Sequence, residues 1–202
     1  MYPLKIEHLS KHYGRESAVK DLSFVVEPGR VTGFLGQNGA GKSTTLKFLL
    51  GLAEPDEGRA LSYRDLRQPA RTIGVLLERA YHPGRSGRDH LRILADYAGI
   101  SRSRVDDRLE LVGLSRAADR AAGTYSLGMR KRLGLAGALL GDPPVLVLDE
   151  PGNGLDPQGI RELRDLLQAR AAEGGTVLVS SHLLSEMEHL ADEVVVLHKA
   201  GW

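Results

Sequence analysis

"RVTGFLGQNGAGKSTTLKFLLG", residues 30–51, passes from a short apolar run through a glycine-rich loop into a helix-forming run. Pro28-Gly29 is a turn signal just ahead of it, so "RVTGFLG" reads as a strand. A helix is predicted from about Lys42 to Leu50, ending at Gly51. The spacing Gly36-x4-Gly41-Lys42-Ser43, set between a strand and a helix, is the P-loop pattern in the context that confirms it. Its glycines let backbone N–H groups turn inward around phosphate oxygens, and the helix N-terminus adds its dipole. The candidate phosphate-binding residues are Gly36, Gln37, Asn38, Gly39, Ala40, Gly41, Lys42, Ser43 and Thr44. Lys42 is expected to reach the β- and γ-phosphates, and the Ser43 hydroxyl to hold Mg²⁺. A chance match is expected in on the order of one chain in a hundred of this length. The strand–loop–helix setting lowers that further.

Outward from this loop, strands alternate with helices. "LKIEHL", "LSFVVEPG" and "TIGVLL" read as strands. Residues 88 to 140 read as a helical block, with "DHLRILADYAG", "SRVDDRLELVG" and "LGMRKRLGLAGALLG" separated by glycines. "PVLVLDE", "TVLVSSH" and "EVVVLHK" read as buried strands. "PQGIRELRDLLQARAAEGG" reads as an amphipathic helix with Ile160, Leu163, Leu166 and Leu167 on one side. This alternation predicts an α/β fold with a largely parallel sheet and a helical insertion.

A P-loop needs a second acidic element, and "PVLVLDEP" supplies it. Asp149 and Glu150 close a buried strand, where an open α/β sheet places its ligand site. Asp149 is a candidate Mg²⁺ ligand, directly or through water. Glu150 is the candidate that polarises a water for attack on the γ-phosphate. His182, just past "LVSS", is expected on the same rim of the sheet. The stretch "TYSLGMRKRLGLAGALL", residues 124–140, predicts a helix with Ser126 as N-cap. Arg130, Lys131 and Arg132 are expected on its solvated face, and Leu133, Ala136, Leu139 and Leu140 on its buried face.

Bulk composition narrows the function classes. The chain has 202 residues, 42% apolar and 26% charged, with 27 basic and 26 acidic residues giving a net charge of +1. No global field favours nucleic acid or an anionic membrane. Without cysteine there is no disulfide framework and no cysteine-ligated metal site. No apolar run approaches the ~18 residues needed to span a bilayer. The start, "MYPLKIEHLSKHYG", lacks the apolar core of a signal peptide. A cytoplasmic location is therefore expected, and any membrane spanning falls to a partner.

Six ordered elements together resemble the nucleotide-binding domain of ABC (ATP-binding cassette) ATPases: the aromatic in "KHYG", the P-loop, the helical insert, a signature loop at "YSLGM", "LVLDEP" with "NGLDP", and "SSH". The resemblance covers essentially the whole chain. It implies the P-loop NTPase (ABC ATPase) fold, with a mostly parallel RecA-like core sheet, N-terminal antiparallel β strands and an inserted α-helical subdomain. One domain, 1–202, is expected, with an ATP-binding core at 1–78 and 142–202 and a helical subdomain at about 79–141. In that family two domains pair head to tail, and ATP lies between the P-loop of one and the signature of the other. The resemblance then implies that Ser126 and Gly128 donate hydrogen bonds to the γ-phosphate across the dimer. Tyr13 would stack on adenine, though a plain strand-end aromatic fits the sequence as well. His182 would contact the γ-phosphate, and Asp156 the opposite subunit. Lys42, Glu150 and His182 form the implied catalytic set for ATP hydrolysis.

The departures are specific. Leu127 replaces the first signature glycine and Met129 the glutamine. Glu78 stands where the family usually has its Q-loop glutamine, and a carboxylate there would hold Mg²⁺ or its water. Gly152 stands where threonine is common. The combination looks like the bacterial exporters related to bacitracin- and daunorubicin-type resistance transporters. It implies a separate transmembrane permease, whose helix meets the segment at Tyr81, His82 and Pro83, and a homodimer or a pair with a second cassette. The chain would sit peripherally on the inner face of the cell membrane. The end, "VVVLHKAGW", implies either a chain cut short of its natural end or a short member lacking edge strands. Two other readings stand beside this one. A soluble ABC-type ATPase of DNA repair, chromosome maintenance or translation would need added parts. Lys42 to Ser126 is only 84 residues, and the neutral charge argues against nucleic acid. A degenerate regulatory cassette is opposed by intact Lys42, Asp149, Glu150 and His182.

Overall fold

The computed structural model describes residues 4–14, 16–60, 69–77 and 81–198. The chain divides into two compact units, Met1–Arg67 with Arg164–Trp202, and Gln68–Leu163.

In the first unit, β1 (Leu4–Tyr13) pairs antiparallel with β2 (Glu16–Val26) on one side and with β4 (Glu57–Ala60) on the other. The strand β3 (Arg30–Gly36) runs parallel to β7 (Thr176–Ser181) and to β8 (Glu193–Leu197), which flank it. Between β3 and β4 comes α1 (Lys42–Leu49), which touches β1, β2 and β3. Its Leu46, Phe48 and Leu49 are buried. Each fully buried side chain of this size contributes roughly 1.5–3 kcal/mol of transfer free energy. Phe24 of β2 stacks on Phe34 of β3 at 5.4 Å between ring centres, joining the two strand systems. The helix α7 (Leu184–Leu190) leans Met187 onto Gly33, where a side chain on β3 would meet the sulfur.

The second unit opens with the one-turn helix α2 (Pro69–Thr72) and β5 (Ile73–Leu76), which pairs parallel with β6 (Val145–Asp149). Between these strands lie α3 (Gly87–Ala98), α4 (Arg104–Leu111) and α5 (Leu127–Ala138). Their buried faces supply Leu91 and Ala95, Val105 and Leu109, and Leu133 and Ala136. Arg88 bridges Asp106 and Asp119, tying α3 to α4 and to the segment after it. The long helix α6 (Pro157–Ala172) begins in this unit and ends in the first. The short β4 had no sequence signal, because "EGRA" is polar and its residues stay largely exposed.

Two expectations change. The strand β8 is an edge strand among the described residues, with Val194 and Val196 exposed, rather than a buried one. On α6 the buried stripe is Leu163, Leu167 and Ala171, while Ile160 points to solvent. One residue per turn is enough there, and the buried stripe begins after the first turn.

Tyr125 holds the base of the helical block. It is buried, and its hydroxyl donates to the Ala117 carbonyl at 2.6 Å. Burial pushes its ionisation above the ordinary 10.0. Tyr125→Phe removes that donor and is expected to cost about 1–2 kcal/mol in denaturant unfolding at pH 7. Above pH 10 an unfolded tyrosine ionises while the folded one holds its proton. The deficit of the variant therefore shrinks as pH rises past that point.

Candidate ATP site

The P-loop sits at the C-terminal end of β3. Gly39 (φ 80°) and Gly41 (φ 98°) both take left-handed backbone, which folds the loop's N–H groups toward one centre. A Cβ on Gly41 would run into the Ala18 carbonyl oxygen, so the position is closed to side chains by contact as well as by φ. Ala40 N–H donates to the Gln37 carbonyl at 3.1 Å, closing a turn inside the loop. The Lys42 ammonium donates to the carbonyls of Gly36 at 2.6 Å and Gln37 at 3.3 Å. The loop is thus tied to its own lysine. Thr45 caps the carbonyl of Gly41 with its hydroxyl at 3.0 Å. Asn38, Gly39 and Ser43 are surface-accessible at the mouth, and Thr44 lies in the first turn of α1.

His182 is the first residue beyond β7. Leu35 pairs with Ser181 across the parallel ladder. His182 therefore lies on the same C-terminal edge of the sheet as the P-loop, as the sequence predicts. Ser181 shapes its turn: the hydroxyl accepts from Leu183 N–H at 3.0 Å and donates to Glu186 at 2.6 Å. Tyr13 ends β1 with its ring exposed and the Lys11 ammonium 5.7 Å from the ring centre.

The remaining candidates belong to the second unit. Asp149 is buried at the end of β6. Glu150 follows at φ 47°, in the left-handed region that a non-glycine residue enters only when its surroundings hold it there. Asn153 does so from two sides. Its N–H donates to the Glu150 carbonyl at 3.3 Å, and its side-chain amide donates to the Glu150 carboxylate at 2.6 Å. The sequence carried a sign of this: Pro151-Gly152 marks a turn, and a turn returns its fourth residue to its first. Asp156 caps α6 by accepting from Gly159 N–H at 3.0 Å, with Pro157 as the first helical residue.

Ser126 is the N-cap of α5, its hydroxyl accepting from Met129 N–H at 3.2 Å. Gly128 packs against the turn after β6, where a Cβ would sit 2.5 Å from the Gly154 carbonyl oxygen. The basic run departs from expectation. Arg130, Lys131 and Arg132 are half-buried and each donates to a carbonyl outside its helix. These are Gly123 at 3.0 Å, Asp149 at 3.1 Å and Val112 at 3.1 Å. Arg132 also reaches Glu162 at 3.3 Å and Asp156 at 3.6 Å. Arg130 lies over the Tyr81 ring at 5.4 Å. Long cationic side chains bury their stems and bring donors to strand and loop ends, so they act here as braces.

The first turns of α3, α4 and α7 carry acids, as the helix dipole favours. Those of α1, α2, α5 and α6 carry none, α1 starting at the P-loop and α5 at the signature. Glu78 lies outside the described residues.

The model of the family described as ABC transporter matches residues 19–153. The bacitracin transport ATP-binding protein BcrA of Bacillus licheniformis is 41% identical over 97% of this chain and 67% of its own length. The lantibiotic transport ATP-binding protein SrtF of Streptococcus pyogenes is 40% identical over 97% of this chain and 87% of its own. The chain belongs to the ABC transporter family. It is an ATP-binding, ATP-hydrolysing cassette of that family. A solved ATP-binding subunit of an ABC transporter superposes with a TM-score of 0.86 at 32% identity, covering 98% of this chain and 87% of that one. A dimeric bacterial cassette shares the fold, with a TM-score of 0.85 at 22% identity over 96% of this chain and 94% of that one.

The cassette's loop geometry separates two glycines. Gly41→Ala adds a methyl group where the Ala18 carbonyl stands and is expected to cost about 1–3 kcal/mol of stability together with nucleotide binding. Gly39→Ala meets nothing within 4 Å and carries only left-handed strain of about 1–2 kcal/mol. Thermal melts and titration with a fluorescent ATP analogue check both.

Proposed function

We propose that this cassette drives a separate transmembrane permease that exports a drug, antibiotic or lipid-like compound. The exporter reading is supported by relatives at about 40% identity whose names are bacitracin and lantibiotic transport proteins. Among the described residues no helix is long and apolar enough to cross a membrane. The spanning falls to the permease, and the cassette works on the cytoplasmic face. Two cassettes pair head to tail, as a homodimer or with a second cassette, with ATP at their interface. Its functional division is an ATP-binding core at 1–78 and 142–202 and a helical subdomain at about 79–141. Nucleic acid is not a partner.

The observation that carries the ATP chemistry is the loop of residues 36–44, with left-handed Gly39 and Gly41, an acid-free helix start and a buried Lys42 bonded to two loop carbonyls. Backbone N–H groups from Gly36 through Thr44 receive the phosphates, and Lys42 exchanges its carbonyl partners for β- and γ-phosphate oxygens. Tyr13 offers its exposed ring to adenine. Ser126 and Gly128 bring the α5 terminus to the γ-phosphate bound by the other cassette. Ser43 and Asp149 are hard oxygen donors of the kind Mg²⁺ takes, with Glu78 as a further carboxylate. Bound there, Mg²⁺ would offset charge on the phosphates. Glu150 takes a proton from water as the water oxygen bonds to the γ-phosphorus. The bond to the bridging oxygen breaks, and ADP and inorganic phosphate leave. His182 contacts the γ-phosphate from the same sheet edge as the P-loop. The segment at Tyr81, His82 and Pro83 receives the permease.

Glu150→Gln keeps size and hydrogen bonding while removing the base. It is expected to bind Mg-ATP, to dimerise and to lose at least about 100-fold in turnover. Light scattering and phosphate release measure this. A variant that stays monomeric in saturating Mg-ATP overturns the paired-site reading. Tagged Glu150→Gln protein, captured from native membranes with Mg-ATP in mild detergent, is expected to bring down a polytopic membrane protein in stoichiometric yield. Recovery of ribosomes or nucleic-acid factors instead overturns the transporter reading.

A further inference from the structure

We infer that Asn153 is a positioning residue for ATP hydrolysis, acting through the Glu150 carboxylate. This rests on the reading of Glu150 as the base. The base stands one residue beyond a rigid strand, at a left-handed φ of 47°, so the strand alone does not set its aim. The aim is set by a closed ring of chain. Pro151 fixes one turn torsion, the Asn153 N–H closes the turn on the Glu150 carbonyl at 3.3 Å, and the Asn153 amide holds the Glu150 Oε2 at 2.6 Å. Backbone and side chain of one residue thus fix backbone and side chain of the other. A hydrogen bond to an ionised carboxylate is among the stronger kinds, and it fixes the plane of the carboxylate about its last torsion.

Asn153 is itself anchored. The next turn is closed by Leu155 N–H on the Gly152 carbonyl at 3.1 Å. Asp156 then starts α6, and Arg132 reaches Asp156 from α5 at 3.6 Å. The seven residues between β6 and α6 therefore hold two successive hydrogen-bonded turns, with both ends on regular structure. An amide on such a support keeps its place when the carboxylate rotates.

The test uses purified wild type, Asn153→Ala and Asn153→Asp, each alone and with Glu150→Gln, in steady-state and single-turnover ATP hydrolysis. Asn153→Asp keeps the shape but replaces the donor with a second negative charge. Both single variants are expected to lose about 10- to 100-fold in kcat, with KM, ATP affinity and ATP-dependent dimerisation within twofold of wild type. In the Glu150→Gln background neither should slow the residual rate further, because the residue acts through the missing carboxylate. Three results overturn the inference: a wild-type kcat in Asn153→Ala, a loss confined to KM or dimerisation, or the same fold-loss persisting beside Glu150→Gln. Full activity in Glu150→Gln itself overturns the base assignment instead, and so separates failure of that reading from failure of this one.

Discussion

Parallel pairing of β3 with β7 and β8 is the constraint on which the chemistry depends. Parallel strands bring all their C-terminal ends to one edge of a sheet, and the turns that leave that edge converge. Gly36 ends β3 and Ser181 ends β7 one register step apart, so the P-loop and His182 leave the sheet together. A polyphosphate is recognised mainly by backbone N–H groups, and these direct well only when the backbone has one shape. The loop has that shape because Gly41 is wedged against the Ala18 carbonyl and Lys42 ties down two loop carbonyls.

In the second unit the corresponding constraint is set by α5. Its first turns carry three cations, and each spans to a different piece of chain: the turn before the helix, the end of β6, and the end of α4. Carbonyls at strand and helix ends need donors, and burying them without donors costs about 1–3 kcal/mol each. The cations therefore fix the signature helix relative to Asp149 within this unit. The Arg130–Tyr81 contact extends the same bracing to the segment proposed to meet the permease.

What was legible in the sequence was what is encoded locally. The P-loop, the Ser126 cap and Pro157 at the start of α6 each follow from residues within one turn of each other, and each is where the sequence put it. The strand–helix alternation was legible because buried parallel strands are continuous apolar runs. The basic run was misread because its partners are carbonyls, which leave no mark in sequence, and they lie up to 20 residues away. The exposed Val194 and Val196 were misread for a related reason: an apolar run does not say whether a strand has a neighbour on both sides. Asn153 has no motif of its own; its contact with Glu150 comes from closure of the turn that Glu150 begins.

The departures in the signature become coherent when read against the turn after β6. Leu127 stands where the family has glycine, and its side chain packs directly over Gly154. A Cβ on Gly154 would lie 2.7 Å from the Leu127 side chain, and the residue takes φ 79° besides. With leucine at 127, a side chain at 154 would both crowd the leucine and strain the backbone. Gly128 closes the same contact from the helix side, its Cα against the Gly154 carbonyl. The signature turn and the turn that holds Glu150 and Asn153 are thus packed on each other within one chain.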